Sequence, residues 1–332
     1  MVEAVAGGRT GLIADRRGLN SDSSTPLPVL RPTPFVAGIN PEVPGRIGDT
    51  RSARAARRAG MAYDQLARCE FCAHRCGVNR LAGEMGPCRA GIATRAFHAQ
   101  VEVGDEQALT PVFAVSLSGC DLRCNFCVTG RQSWDATAGE EIYGEGGPTP
   151  ALLGLATRAR RALDAGARSV MILGGEPTLH LPAALEFAAH LPDHATLVWK
   201  TNAHGTAQAR ALLADVFDVW VADYKFGNDG CASRMAGIPE YTAIVRGNLR
   251  WARAHARLIV RHLLMPGHVD CCWRPVAEWL AADLPGVEVS LRDGFWPGWF
   301  SSRHPELAAP VSSRDLRRAR EIADELGLHT IS

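Results

Sequence analysis

The sequence predicts an α/β protein built on a sheet of parallel strands, and three observations carry that prediction. From Pro111 onward, short runs rich in β-branched or apolar residues recur along the chain. Longer segments of helical periodicity lie between them, and the residues with chemical character sit where the apolar runs end. Strand and helix alternating in this way argue for repeated βα units, because a crossover helix returns the chain to the same end of the sheet and makes the next strand parallel.

The six expected strands are Pro111–Leu117, Ser169–Leu173, Thr196–Trp199, Val219–Ala222, Leu258–Leu264 and Val287–Leu291. Each is a nearly continuous apolar run, as a strand covered on both faces requires. Helical patterns fall at Thr149–Ala165, Pro182–His190, Ala207–Ala214, Tyr241–Ala256, Trp273–Ala282 and Ser313–Leu326. Periodicity alone allows either an open doubly wound sheet or a barrel. In both, ligands bind at the carboxyl ends of the strands. There the sequence places Cys120, Gly174–Pro177, Lys200–Asn202, Asp223–Lys225 and Arg261.

At 332 residues the chain is long enough for one large α/β domain with extensions. Its 36 basic and 35 acidic side chains give no electrostatic case for a nucleic-acid or anionic-membrane partner. There is no run of 18 apolar residues, and no basic segment followed by an apolar stretch at the N-terminus, so a cytoplasmic protein is expected. Residues 1–60, rich in Pro, Ser, Arg and Gly, read as a disordered or loosely docked leader with a short helix near its end. Residues 61–104 read as a cysteine-rich metal-binding module, and 105–332 as the catalytic domain.

Seven of the ten cysteines fall in two tight clusters, which without a secretion signal points to metal and away from disulfides. Cys120, Cys124 and Cys127 form CxxxCxxC, three soft ligands on one loop. A [4Fe–4S] cluster usually takes four cysteines, so three would leave one iron open for small-molecule chemistry; a zinc site or three structural thiols are the plainer alternatives. Cys69, Cys72, Cys76 and Cys88 form CxxCxxxCx11C with Gly77, Gly83 and Gly86 at turns, and suit an auxiliary [4Fe–4S] cluster, a structural zinc or empty thiols. Cys231, Cys271 and Cys272 read as partly buried thiols, since adjacent cysteines do not easily share one metal.

The run Leu117–Cys127 (LSGCDLRCNFC) followed by Gly174–Thr178 (GGEPT) resembles the radical S-adenosylmethionine (SAM) enzymes, specifically the branch related to pyruvate formate-lyase activating enzymes. The resemblance selects a partial (β/α)6 barrel. It implies that SAM chelates the fourth iron through its amino and carboxylate groups. One-electron reduction then yields methionine and a 5′-deoxyadenosyl radical that abstracts hydrogen from a substrate.

By the same resemblance Phe126 packs beside the adenine, although a core phenylalanine is the plainer role. Gly174, Gly175 and Glu176 line the methionyl amine. Asn202 belongs to the turn after the third strand, and Asp223 and Lys225 match an AspXxxLys element beside SAM, with a strand-end salt bridge as the alternative. Arg261, in RHLLMPG, is implied to contact SAM or the substrate backbone, with ordinary surface pairing as its competitor. Lys200 departs from the pattern, standing where the activating enzymes carry an acidic residue linked to a monovalent cation; its ammonium is expected to replace that cation. A reduced flavodoxin or ferredoxin is implied as electron donor, and a glycyl-radical protein or another polypeptide as substrate. A small metabolite, or a metal-binding module without catalysis, are the alternatives. The aromatic run Phe295–Phe300 either closes the barrel bottom or flanks a substrate cleft.

Overall fold

The computed structural model describes residues 49–104 and 106–331; the expected leader lies outside them up to residue 48. Helix α1 (Arg51–Asp64), capped by Thr50, buries Ala55, Ala59 and Ala62 on one stripe. It continues past residue 60 and packs against α4 (Leu181–Ala189). The cysteine-rich segment that follows contains no long element. It is held by isolated bridges pairing Cys69 with Val78 and Cys72 with Gly205.

The sheet comprises ten strands: β1 (Thr94–Glu102), β2 (Val112–Leu117), β3 (Glu140–Gly144), β4 (Gly147–Pro148), β5 (Ser169–Gly174), β6 (Thr196–Thr201), β7 (Val219–Asp223), β8 (Arg257–Leu263), β9 (Glu288–Arg292) and β10 (His329–Ile331). Strands β2, β5, β6, β7, β8, β9 and β10 are neighbours in that order and all pair in parallel. The first six of these are the six runs expected from sequence, and they make an unclosed, partial (β/α)6 barrel. On the free side of β2, strands β1, β3 and β4 add an antiparallel flap that the apolar runs did not announce. Most β1 residues are half-buried or exposed, so its sequence lacks a continuous apolar signal.

Helices α3 (Pro150–Asp164), α5 (Ala207–Leu213), α7 (Thr242–His255), α8 (Arg274–Asp283) and α9 (Ser313–Glu325) fall within a residue or two of the expected segments. Two short helices were not foreseen: α2 (Arg131–Trp134) and α6 (Asp229–Ala236). In α6 the start is set by Asn228, whose side chain accepts from the Cys231 amide at 2.8 Å.

Because successive side chains alternate across a strand, the parallel strands present two faces. One carries Phe113, Val115, Ile172, Trp199, Trp220 and Val260 into the main core under the helices. The other carries Val112, Met171, Val198, Val219, Val221 and Ile259 into a smaller apolar layer. Two residues further along the second face, toward the carboxyl ends, stand Leu173, Lys200, Asp223 and Arg261. The change from apolar to charged on one face marks where the packed floor ends and the site begins.

Candidate functional site

A cavity of about 720 Å³ opens at the carboxyl ends of the strands. Cys120, Cys124, Phe126, Cys127, Gly174, Gly175, Lys200, Asn202, Asp223, Lys225 and Arg261 all line it. Residues separated by up to 141 positions thus meet at one mouth because parallel pairing puts every carboxyl end on the same side.

The cysteine loop leaves β2 through Gly119 and is pinned at several points. The buried His180 ring donates from Nε2 to the Ser118 carbonyl at 2.7 Å, while its Nδ1 accepts from the Thr94 hydroxyl at 3.1 Å. The amides of Arg123 and Asn125 donate to the last carbonyls of α6, Ala236 O at 3.0 Å and Met235 O at 2.9 Å. Cys120 and Cys124 are buried and Cys127 half-buried. Burial pushes the Cys124 thiol up to about 12, against the opposing charge of Lys225, and drives Cys120 upward as well. Thiols so desolvated ionise only with a positive partner, and three soft donors lining one cavity fit an iron–sulfur cluster with one uncommitted iron.

Gly174 and Gly175 line the cavity, as the resemblance implies for the methionyl amine. Their stricter requirement comes from the neighbouring strand. Gly174 has φ +143°, and a Cβ there would stand 2.0 Å from the Leu117 carbonyl oxygen; one at Gly175 would stand 2.0 Å from that of Gly119. Only glycine lets β5 run this close to the start of the cysteine loop.

Glu176 does not line the cavity. Its carboxylate is buried and accepts from the Thr178 amide (3.0 Å), the Thr178 hydroxyl (2.5 Å), the Thr201 hydroxyl (2.8 Å) and the Asn202 amide (2.7 Å). Burial, with the nearby charge of Asp121, lifts its carboxyl to about 7. Here Glu176 braces the turns after β5 and β6, with three of these bonds on Oε1 and the Asn202 amide on Oε2.

Asp223 and Lys225 form an ion pair, and both are held by it. Burial pushes Asp223 up, but the charges of Lys225, Arg261 and Lys200 hold its carboxyl below the ordinary range. Burial depresses Lys225, and Asp223 with Cys124 returns it above its usual value. Arg261 Nε lies 3.9 Å from Glu106 Oε1, a buried carboxylate that also accepts from the Ser290 hydroxyl at 2.9 Å. Phe126 packs edge-on to Phe226 (centroids 6.0 Å apart) and beside Phe295 (6.1 Å), lining the cavity while remaining part of an aromatic cluster. The Phe295–Phe300 run therefore sits against the cysteine loop: the Phe300 amide donates to the Asn125 carbonyl at 2.8 Å, and Trp299 packs on Trp134.

Sequence reasoning missed Asp121 and His204. Asp121 accepts from His204 Nδ1 and from Asn202 Nδ2, each at 2.7 Å, and these bonds outweigh burial to hold its carboxyl low. His74, which lies between Cys72 and Cys76, donates from Nε2 to the Asp121 carbonyl at 3.0 Å. A carboxylate between two cluster cysteines and a histidine two residues after Asn202 were the available signals.

The second cysteine set sits close to this knot. Cys69, Cys72 and Cys88 are buried and Cys76 is half-buried. Arg80 is 1 % exposed, and its guanidinium donates to Leu179 O at 2.7 Å and approaches Cys69 Sγ at 3.7 Å. A buried cation beside Cys69, whose charge also reaches Cys88, suits a centre in which the sulfurs are thiolates and carry net negative charge. The remaining thiols, Cys231, Cys271 and Cys272, for which the sequence suggests only partly buried thiols, gather around His268.

No family model matches the chain. It is 28% identical over 272 residues to the uncharacterized protein MJ0674 of Methanocaldococcus jannaschii, covering 79% of this chain and 76% of that one. Among solved structures it is similar to Streptococcus suis SuiB bound to the precursor peptide SuiA, at 16% identity and TM-score 0.48, over 64% of this chain and 46% of SuiB. It is also similar to a radical SAM methyltransferase from Sphaerobacter thermophilus, at 16% identity and TM-score 0.44, over 65% of each chain. The match thus spans less than half of SuiB.

Proposed function

We propose that this chain is a radical SAM enzyme in which Cys120, Cys124 and Cys127 hold a [4Fe–4S] cluster and the cavity beside them binds SAM. The observation that carries the reading is the convergence of three loop cysteines, the Gly174–Gly175 backbone, Asn202, the Asp223–Lys225 pair and Arg261 on one cavity. When bound, the cluster and SAM supply one-electron reductive cleavage and a 5′-deoxyadenosyl radical competent to abstract hydrogen.

The chain's own residues then orient and shield. Lys225 and Arg261 present cationic donors suited to the SAM carboxylate, and Asp223 offers an acceptor for its ammonium. Asn202 is fixed through its amide to Glu176 and its side chain to Asp121, so the turn facing the ligand is rigid. Phe126, backed by Phe226 and Phe295, supplies an apolar wall for the adenine. Cys69, Cys72, Cys76 and Cys88 hold a second centre, an auxiliary [4Fe–4S] cluster or zinc, with Arg80 balancing its charge.

The electron donor in this reading is a reduced flavodoxin or ferredoxin. The substrate is a polypeptide, a glycyl-radical protein among the candidates. A cavity of about 720 Å³ falls in the size range of small-molecule sites.

The test is anaerobic. The protein is reconstituted with iron and sulfide, SAM and a strong reductant are added, and 5′-deoxyadenosine is quantified. Product above that of a Cys124→Ala control is expected, and candidate polypeptides should accelerate it more than metabolite pools. Cluster-loaded protein that binds no SAM and forms no product would point to a metal-binding module instead.

A further inference from the structure

We propose that Cys231, His268, Cys271 and Cys272 bind a single tetrahedral zinc ion, at a site separate from both cysteine clusters described above. Among the described residues this is the group of Cys, His, Asp or Glu whose ligand atoms all lie within 4.8 Å of one another. His268 Nδ1 faces all three sulfurs, 3.8 Å from Cys231, 3.2 Å from Cys271 and 3.7 Å from Cys272. Cys231 Sγ and Cys271 Sγ are 4.0 Å apart.

Those separations match one ion. Zinc–sulfur bonds of about 2.3 Å and zinc–nitrogen bonds of about 2.0–2.1 Å, set tetrahedrally, put sulfurs about 3.8 Å from one another and about 3.6 Å from the nitrogen. A [4Fe–4S] cluster places each ligand on a different iron and a [2Fe–2S] cluster splits four ligands in pairs between two irons, so either needs the set spread further apart than this one. Three thiolates and an imidazole are a closed zinc set, and the soft donors disfavour magnesium or calcium.

The surroundings are built for it. Cys231, Cys272 and His268 are buried, and Cys271 is the exposed member. Asn228 spans the site: its Nδ2 donates to the Cys271 carbonyl at 2.7 Å and approaches Cys231 Sγ at 3.4 Å. With Nδ1 on the ion, His268 would present Nε2–H outward. That buried nitrogen has no hydrogen-bond partner and faces Glu306 Oε1 at 3.7 Å, the carboxylate–histidine arrangement that orients zinc ligands. Adjacent cysteines can share the ion because Val269–Trp273 winds as one turn of π-helix, which turns both Sγ atoms to the same side. A Cβ at Gly227 would stand 2.4 Å from the Cys272 carbonyl oxygen, so this turn packs where only glycine fits.

The ion would tie the start of α6 to the connection between β8 and α8, while the last carbonyls of α6 hold the Arg123 and Asn125 amides of the cysteine loop. Its role is a structural brace one helix away from the proposed active site, and it does not depend on what that site does.

Zinc and iron per chain are measured by plasma mass spectrometry in anaerobically purified wild type, Cys231→Ser, Cys271→Ser and Cys76→Ala. The two site variants should each lose about one zinc relative to wild type with iron unchanged, whereas Cys76→Ala should keep this zinc. Cys271 is exposed, so its replacement leaves the fold least disturbed. In zinc-depleted wild type, added cobalt(II) should give the visible bands of a tetrahedral thiolate site, and their intensity should fall by about one site's worth in Cys231→Ser. Equal zinc in wild type and both site variants, loss of iron in place of zinc, or a metal-free Cys231–Cys271 disulfide in the purified protein would each overturn the proposal.

Discussion

Asp121 Oδ2 accepts a 2.7 Å hydrogen bond from His204 Nδ1 with both side chains buried. The Asp121 carbonyl accepts from His74 and its Oδ1 from Asn202, and the His204 carbonyl accepts from the Ala73 amide at 2.9 Å. Asp121 and His204 together thereby join the CxxxCxxC loop, the end of β6 and the N-terminal cysteine segment.

Replacing His204 with alanine leaves the Asp121 carboxylate buried and short of a donor, a loss of about 1–3 kcal/mol or more for a charged group. The expected result is a lower Tm together with faster iron loss from the reconstituted protein. Unchanged melting and iron retention would show that the bond does not hold the loop.

Gly175→Ala sets a methyl group 2.0 Å from the Gly119 carbonyl oxygen and 3.2 Å from Cys120 Cβ. Relief requires β5 and the cysteine loop to part, at a cost of about 1–3 kcal/mol. Iron content at the three-cysteine site should fall more than in Gly146→Ala, where a Cβ meets nothing within 4 Å. Equal iron in the two variants would remove the steric argument.

Lys200 stands two residues beyond Val198 on the inner face and contributes to holding Asp223 ionised. If its ammonium does the work of a bound monovalent cation, Lys200→Ala should weaken SAM binding by roughly tenfold, about 1.4 kcal/mol. Potassium or sodium should restore part of the loss. SAM affinity that is indifferent to ionic conditions in the variant argues against the substitution of charge.

Acid should destabilise the fold earlier than carboxylates alone would. Burial depresses His180 to about 3 and His262 to about 4, from an ordinary 6.5. The unfolded chain therefore takes up protons first, and the stability from keeping these rings neutral is present above pH 6.5 and is lost as pH falls toward 4 and 3. Each histidine contributes about 1.4 kcal/mol per pH unit in that window. Glu176, raised to about 7 from 4.5, acts in the opposite sense and offsets one histidine between pH 4.5 and 6.5. Melts across pH should therefore show a shallow decline below 6.5 that steepens below 4.5. His180→Asn should flatten the curve; an unaltered curve in that variant would place the proton uptake elsewhere.

The two cysteine sets should separate by phenotype. Cys124→Ala should abolish 5′-deoxyadenosine formation, whereas Cys76→Ala should mainly lower metal content or Tm, as quantified on matched preparations. A Cys124 variant with full activity and an intact cluster would contradict the ligand assignment.

Local composition by itself determined the six parallel strands, most of the helices between them and the loop that carries Cys120, Cys124 and Cys127. A strand buried on both faces must be apolar throughout, and ligands on one loop must be close in sequence, so both signals are local. Tertiary structure alone decided the rest. Glu176 belongs to a brace because Thr201 and Asn202 arrive from the next strand to occupy its carboxylate. Gly174 and Gly175 are set by the carbonyls of Leu117 and Gly119 as much as by any ligand. Asp121 meets His204 across 83 residues, and Cys231 meets Cys271 across 40. Such pairings depend on which strand ends and helix starts become neighbours when the sheet forms. Sequence spacing carries no record of that proximity, which parallel pairing and helix packing create only in the folded chain.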